Sequence, residues 1–254
     1  MADRFPYLDH PCANAIAHRG GAREAEENTF PAFARAVALG YTHVELDVHT
    51  TRDGVVVVHH DPTLVRMTGD PRAITDLDWA TLRTIRTHGG AGIPRLDALL
   101  EEFPGLFVNI EAKSDHVVAP LASLIKRMEV VERIGTGSFR SARTAGLRAQ
   151  LGERLCWSPA HLSVLGLWLR GWGLPLPLAG FPVVQVPEHY KGVRVVTPRF
   201  LRAAHRAGVQ VQVWTVNDAD AMVRLLDMGV DGLMTDRPTL LRQVLEGRGE
   251  WRGA

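Results

Sequence analysis

The chain has 254 residues, a formal net charge of +1, 46% hydrophobic and 22% charged side chains; this is globular make-up with a substantial core, without the basic excess of a broad nucleic-acid surface, so no nucleic-acid partner is expected. Its two cysteines, Cys12 and Cys156, stand far apart and in no metal-ligand spacing, which reads as reduced thiols rather than a disulfide framework. The opening MADRFPYLDHP carries no apolar h-region, and the expectation is a cytoplasmic protein of one domain, residues 1–254.

In chain order, a first apolar run at residues 14–17 ends at His18, Arg19 and two glycines. A loop dense in carboxylates follows, and an amphipathic segment begins at NTFPAF. The stretch FARAVALGYTHVELDV then shows a unit that recurs: a helical segment, a glycine, and a short β-branched run. Gly40 is the break here, Gly208 in FLRAAHRAGVQVQVWTV, and Gly229 in AMVRLLDMGVDGLMTD. Glycine just past a helix accepts a left-handed backbone at little cost, and the repetition of helix, turn and strand marks a parallel α/β fold. Further strands are expected at residues 43–49, 106–112, 133–138, 154–158, 183–186, 209–215 and 232–235, with helical composition at 141–151 and 198–207. Residues 55–60 follow the turn signal RDG and pair back on the second strand as a hairpin. About eight βα units in a chain of this length predict a TIM (β/α)8 barrel with a small hairpin addition after the second strand, a doubly wound open sheet being the alternative.

Strand periodicity makes the polar residues informative. In HVELDVH, His43, Glu45, Asp47 and His49 share one parity, and Val44, Leu46 and Val48 the other. In FVNIEAK, Asn109, Glu111 and Lys113 stand against Val108, Ile110 and Ala112. In a barrel the apolar set packs on the outer helices and the polar set points inward, so Glu45, Asp47 and Glu111 converge, the first two about 6–7 Å apart along one strand. Buried like charges at that density are unfavourable unless neutralised, and a divalent cation with oxygen ligands, Mg²⁺ or Ca²⁺, is the simplest answer. A surface strand with solvated carboxylates is the alternative, weakened because two such strands end polar on the side where barrels carry their sites. His18 ends the first strand, and His60 ends VVVVHHDP with His59 on the opposite face. Two imidazoles beside a metal can serve as general base and general acid, and Arg19 and Lys113 add charge suited to a phosphate oxygen. The grouping predicts metal-assisted phosphoester chemistry.

HRGG followed by ENTFPAF, VELDVHTTRDGVVVVHHDPTL, NIEAK, VWTVND and DGLMTDRP occur in an order and spacing that resembles the glycerophosphodiester phosphodiesterase family, from about Ala15 to Pro238. The resemblance implies a TIM barrel and divalent-metal-dependent hydrolysis of glycerophosphodiesters to sn-glycerol 3-phosphate and an alcohol. It implies Glu45, Asp47 and Glu111 as metal ligands, His18 and His60 as the acid–base pair, and Arg19 and Lys113 as phosphate contacts. Asn28 is implied to order the site, Glu27 to be an extra ligand or a supporting group, and Trp214 to form an aromatic wall against glycerol, with plain barrel core as its other reading. On this pattern His60 is taken as acid and His18 as base, with water or the glycerol hydroxyl as nucleophile.

Two features depart from the pattern. EAK stands where many members carry EIK, a change on the outward parity that leaves the ligand in place. Residues 156–187 hold no acidic residue, only Arg170 as a full charge, and Trp157, Trp168 and Trp172. Prolines and glycines interrupt this stretch too often for a transmembrane helix. It reads as a buried helix and an apolar strand joined by a rigid loop, or as a lip at 168–181 that touches acyl chains or, transiently, a membrane. The lip would favour lysophospholipids over soluble diesters, a lysophospholipase D-like activity. A lyase releasing a cyclic phosphate and a binding protein without turnover are the remaining alternatives. The final LEGRGEWRGA is either a tail or, through Trp251, a cap on the barrel.

Overall fold

The computed structural model describes residues 5–253. Its elements in chain order are β1 (Asn14–His18), α1 (Phe30–Ala38), β2 (His43–Thr50), β3 (Val56–Val58), α2 (Val65–Thr68), α3 (Trp79–Leu82), α4 (Leu96–Glu102), β4 (Phe107–Ala112), α5 (Val118–Arg127), β5 (Ile134–Gly137) and α6 (Ser141–Leu151). There follow β6 (Cys156–Trp157), α7 (His161–Arg170), β7 (Val183–Pro187), β8 (His189–Tyr190), β9 (Val193–Arg194), α8 (Pro198–Arg206), β10 (Gln210–Trp214), α9 (Ala219–Asp227), β11 (Gly232–Thr235) and α10 (Pro238–Gly247). The helices start where the sequence offers a cap. Thr29, Thr197 and Asp218 accept from the amides of Ala32, Phe200 and Ala221, and prolines occupy the first turns of α1 and α8.

Eight parallel strands lie in the order β6-β5-β4-β2-β1-β11-β10-β7, with β3 antiparallel on β2. The two ends of this order face each other, and the amide of Gln185 on β7 donates to Ser158 Oγ just after β6 at 2.9 Å. The sheet is therefore a nearly closed barrel ringed by helices, not the open alternative. The strands fall within two residues of expectation. The sixth is shorter, because residues 152–154 coil into a 3₁₀ turn ahead of it.

The two parities of β2 and β4 separate as their chemistry requires. Val44, Leu46, Val48, Val108, Ile110 and Ala112 are buried in one core with Phe33 of α1, Leu121 and Ile125 of α5 and Leu241 of α10. Each large aliphatic side chain so buried contributes about 1.5–3 kcal/mol. Inside the barrel, amides replace hydrocarbon: Gln185 Nε2 donates to Asn109 Oδ1 at 2.9 Å and to Gln212 Oε1 at 3.0 Å. Residues 55–95 carry a second cluster of their own, Val57, Leu64, Ile74, Leu77, Leu82 and Ile93.

The end of the barrel at the strand N-termini is closed by side chains from both ends of the chain. Tyr7 lies against Gly135, where an added Cβ would come within 2.7 Å of the ring, and Gln210 Nε2 bonds the Leu8 carbonyl. Trp251 packs on Tyr41 with ring centroids 5.1 Å apart, so the C-terminal stretch is a cap rather than a tail. Both cysteines are free. Among the described residues no helix is long and apolar enough to cross a membrane.

Candidate active site

The parallel register sets His18 beside Glu45 and Asp47 beside Glu111, so three adjacent strands present polar side chains at two successive levels. One oxygen from each of Glu45, Asp47 and Glu111 lies within 4.8 Å of the others. Cations surround them. Lys113 Nζ is 3.3 Å from Glu111 Oε2 and 3.4 Å from Asp47 Oδ1. Arg19 Nε is 3.1 Å from Asp47 Oδ2, and the Arg19 amide donates to Glu45 Oε2 at 3.2 Å. Asn28 Nδ2 donates to Asp47 Oδ2 at 3.0 Å, from a backbone in the left-handed region (φ +56°). Gly20 lets the first loop pass this close to α1, since a Cβ there would sit 2.8 Å from that of Ala32 at φ +80°.

These carboxylates fit a divalent cation. Burial, with Asp47 beside it, pushes the Glu45 carboxyl up to about 8, and burial likewise raises Glu111 despite the charge of Lys113. A compact set of oxygen donors whose own charges are strained is what a hard cation relieves.

Both predicted histidines carry a carboxylate on Nδ1. His18 Nδ1 is 2.6 Å from Asp236 Oδ1, at the end of β11, and its Nε2 is 3.6 Å from Glu45 Oε2. Burial alone would lower the His18 pKa; the Glu45 charge and the Asp236 hydrogen bond outweigh it, and the value is raised. Asp236 is itself fixed by Asn217, which donates to its Oδ2 at 2.7 Å and accepts from its amide at 2.8 Å. His60 Nδ1 is 2.7 Å from Asp61 Oδ1. Because an ionised carboxylate only accepts, Nδ1 is the donor in both pairs and Nε2 remains for the cavity that both rings line. Burial opposes ionisation of Asp61, but Arg66 and His60 outweigh it and hold its carboxyl at about 2. By contrast His43, His49 and His59 are buried on backbone carbonyls, the first two held down to about 3 and about 4 mainly by desolvation.

The cavity has a volume of about 750 Å³. Trp214, the last residue of β10, lines it edge-on to Phe139 with ring centroids 5.6 Å apart. Farther out its wall is apolar: Leu162, Leu165 and Trp168 of α7 and Val193 of the β8–β9 hairpin. Here the structure departs from expectation, which placed the lip at 168–181. Only Trp168 of that stretch lines the cavity. The loop turns aside after it, with Trp172 packed on Trp168 and beneath the Arg199 guanidinium.

Expected residues His18, Arg19, Asn28, Glu45, Asp47, Glu111 and Lys113 thus form one contact network. Glu27 stands apart from the carboxylate trio: its Oε1 pairs with Arg19 Nη1 at 3.1 Å and Arg66 Nη2 at 2.6 Å. Sequence reasoning passed over Asp61, Arg66, Asn217 and Asp236. Asp61 is adjacent to His60 in HHDP, and Asp236 directly follows the last strand in TDRP, which were the available signals.

Residues 18–240 match the model of the glycerophosphoryl diester phosphodiesterase family. The chain belongs to this family. It is accordingly an enzyme of the phosphoric diester hydrolase class. A Mycobacterium tuberculosis protein named "Probable glycerophosphodiester phosphodiesterase 2" is 38% identical across 100% of this chain and 98% of its own length. A lysophospholipase D of Homo sapiens is 29% identical over 91% of this chain and 85% of its own. The crystal structure of a glycerophosphodiester phosphodiesterase from Agrobacterium tumefaciens superposes with a TM-score of 0.75 at 26% identity, covering 90% of this chain and 98% of that one.

Proposed function

We propose that this family member hydrolyses glycerophosphodiesters to sn-glycerol 3-phosphate and an alcohol, with Mg²⁺ or Ca²⁺ held by Glu45, Asp47 and Glu111. The observation that carries the reading is the trio of carboxylates within 4.8 Å beside two histidines, each with its Nδ1 on an aspartate. When bound, the cation supplies Lewis acidity toward a phosphoryl oxygen. Arg19 and Lys113 orient the phosphate and offset charge that grows on its oxygens. His18 Nε2 takes the proton of the attacking hydroxyl, and His60 Nε2–H gives one to the departing alkoxide as the P–O bond breaks. Asp236 keeps the His18 proton on Nδ1 so that Nε2 can accept, and Asp61 accepts from Nδ1 of the doubly protonated ring that His60 needs in order to donate from Nε2. Asn28 steadies Asp47, Glu27 steadies Arg19, and Trp214 walls the glycerol side.

Release of glycerol 3-phosphate from glycerophosphocholine, by metal-stripped protein resupplied with Mg²⁺ or Ca²⁺, tests this. Metal-dependent product, abolished in His18→Ala, is expected; a cyclic phosphate that accumulates without hydrolysis would replace hydrolase with lyase. A second reading, hydrolysis of lysophospholipids at a lipid surface, is supported by the apolar outer wall and by exposed Leu162, Leu165 and Val193 at its mouth. Leu165→Asp should then lower the ratio of lysophosphatidylcholine to glycerophosphocholine turnover, and an unchanged ratio would remove this reading.

A further inference from the structure

His60 does not belong to the barrel proper. It stands on residues 55–95, the segment with its own apolar cluster, joined to the barrel through the pairing of β3 on β2. At the rim this module meets the loop after β1 through two consecutive carboxylates. Glu26 accepts from the Gly89 amide at 2.9 Å and from Thr87 Oγ1 at 2.5 Å. A Cβ at position 89 would lie 2.7 Å from Glu26 Oε2 and would push that carboxylate aside. Glu27 takes Arg66 Nη2 at 2.6 Å and Arg19 Nη1 at 3.1 Å on the same oxygen. Through its Nε, Arg66 also reaches Asp61 Oδ2 at 2.5 Å, and Asp61 Oδ1 holds His60 Nδ1 at 2.7 Å. An unbroken chain of charged contacts therefore runs His60–Asp61–Arg66–Glu27–Arg19–Asp47.

We infer that Arg66 is a positioning residue: its guanidinium clasps the module to the barrel and sets where His60 stands relative to Arg19 and the carboxylate trio. The inference rests on His60 acting on the substrate as proposed above. The chemistry suits arginine in particular. A planar guanidinium presents separate N–H donors, here Nε and Nη2, in fixed directions to two carboxylates, which a lysine ammonium, a single point charge, does not reproduce. Arg66 is 45% exposed in its side chain, so its ion pairs contribute little to stability, and a loss of rate without a loss of stability is the mark of positioning.

The experiment compares wild type, Arg66→Met and Arg66→Lys for kcat, KM, Tm and the ¹H–¹⁵N spectrum of the histidine rings. Misplacement of a reacting group by an ångström lowers rate by up to about 100-fold, so kcat of Arg66→Met should fall about 10- to 100-fold with KM within about threefold. Tm should stay within about 2 °C. Arg66→Lys should recover only part of the rate, and added guanidinium should restore part of that of Arg66→Met while leaving wild type unchanged. The His60 Nδ1–H resonance should shift or vanish in Arg66→Met. A kcat within about twofold of wild type, or a loss that follows a fallen Tm and ignores guanidinium, would overturn the inference. Wild type without diesterase activity would overturn the proposed reaction instead; an unmoved His60 resonance in Arg66→Met would then still overturn the clasp.

Discussion

Asp236→Asn is the perturbation whose outcome the geometry determines most closely. Asn217 Oδ1 accepts from the Asp236 amide at 2.8 Å and from Thr235 Oγ1 at 3.1 Å, so its Nδ2 must face the side chain at 236. An asparagine there has to turn its carbonyl oxygen toward that donor. Its NH₂ group then faces His18 Nδ1, which can satisfy it only by becoming the acceptor. The ring shifts its proton to Nε2, the atom that is to receive one from the nucleophile. The pair is largely buried, with 17% and 15% side-chain exposure, so its charge-assisted hydrogen bond is worth about 1.5–3 kcal/mol. At about 1.4 kcal/mol per decade this is a loss of about 10- to 150-fold in kcat, with little change in KM. Steady-state release of glycerol 3-phosphate gives the rate, and ¹⁵N shifts of the His18 ring give the tautomer. A kcat within about twofold of wild type, with Nε2 protonated as described, would show that His18 does not act as the base.

Three more outcomes follow from the same geometry. Asn28→Gly keeps the left-handed backbone but deletes the bond to Asp47, and calorimetry should find divalent-cation affinity lowered about 10- to 100-fold. Asp61 titrates at about 2 in the folded protein against an ordinary 3.8, so its contribution to stability is full above 3.8 and is lost as pH falls through about 2. Urea midpoints of Asp61→Asn should therefore depend less on pH than those of wild type across that window. Leu46→Ala removes a fully buried side chain beneath the outer helices and should cost about 2–5 kcal/mol by urea denaturation, without altering the metal ligands on the opposite parity.

The barrel was largely legible because its signals are local. Gly40, Gly208 and Gly229 mark helix ends within a few residues of the strands they precede, and the alternation in HVELDVH and FVNIEAK names the inward face without reference to the rest of the chain. The same alternation brought Glu45, Asp47 and Glu111 forward, and the family resemblance added their roles. The partners of the histidines were not legible. His18 meets Asp236 across 218 positions, because β11 lies next to β1 only once the barrel has come round. Arg66 reaches Glu27 over 39 positions through a module whose seat on the barrel depends on its own small core. The lip was misplaced for a related reason. Residues 156–187 are apolar almost throughout, and hydropathy cannot say that α7 turns a face to the cavity while the tryptophan-bearing loop after it turns away.

Tyr7 under the barrel and Trp251 against Tyr41 put the first and last described segments at the strand N-termini, while the carboxylate trio and the cavity open at the other end. These two segments thereby lie on the far side of the molecule from the substrate entrance. Anchored to a bead through a tether placed beside Tyr7 or Trp251, the enzyme should present its mouth outward and keep the turnover it shows free in solution.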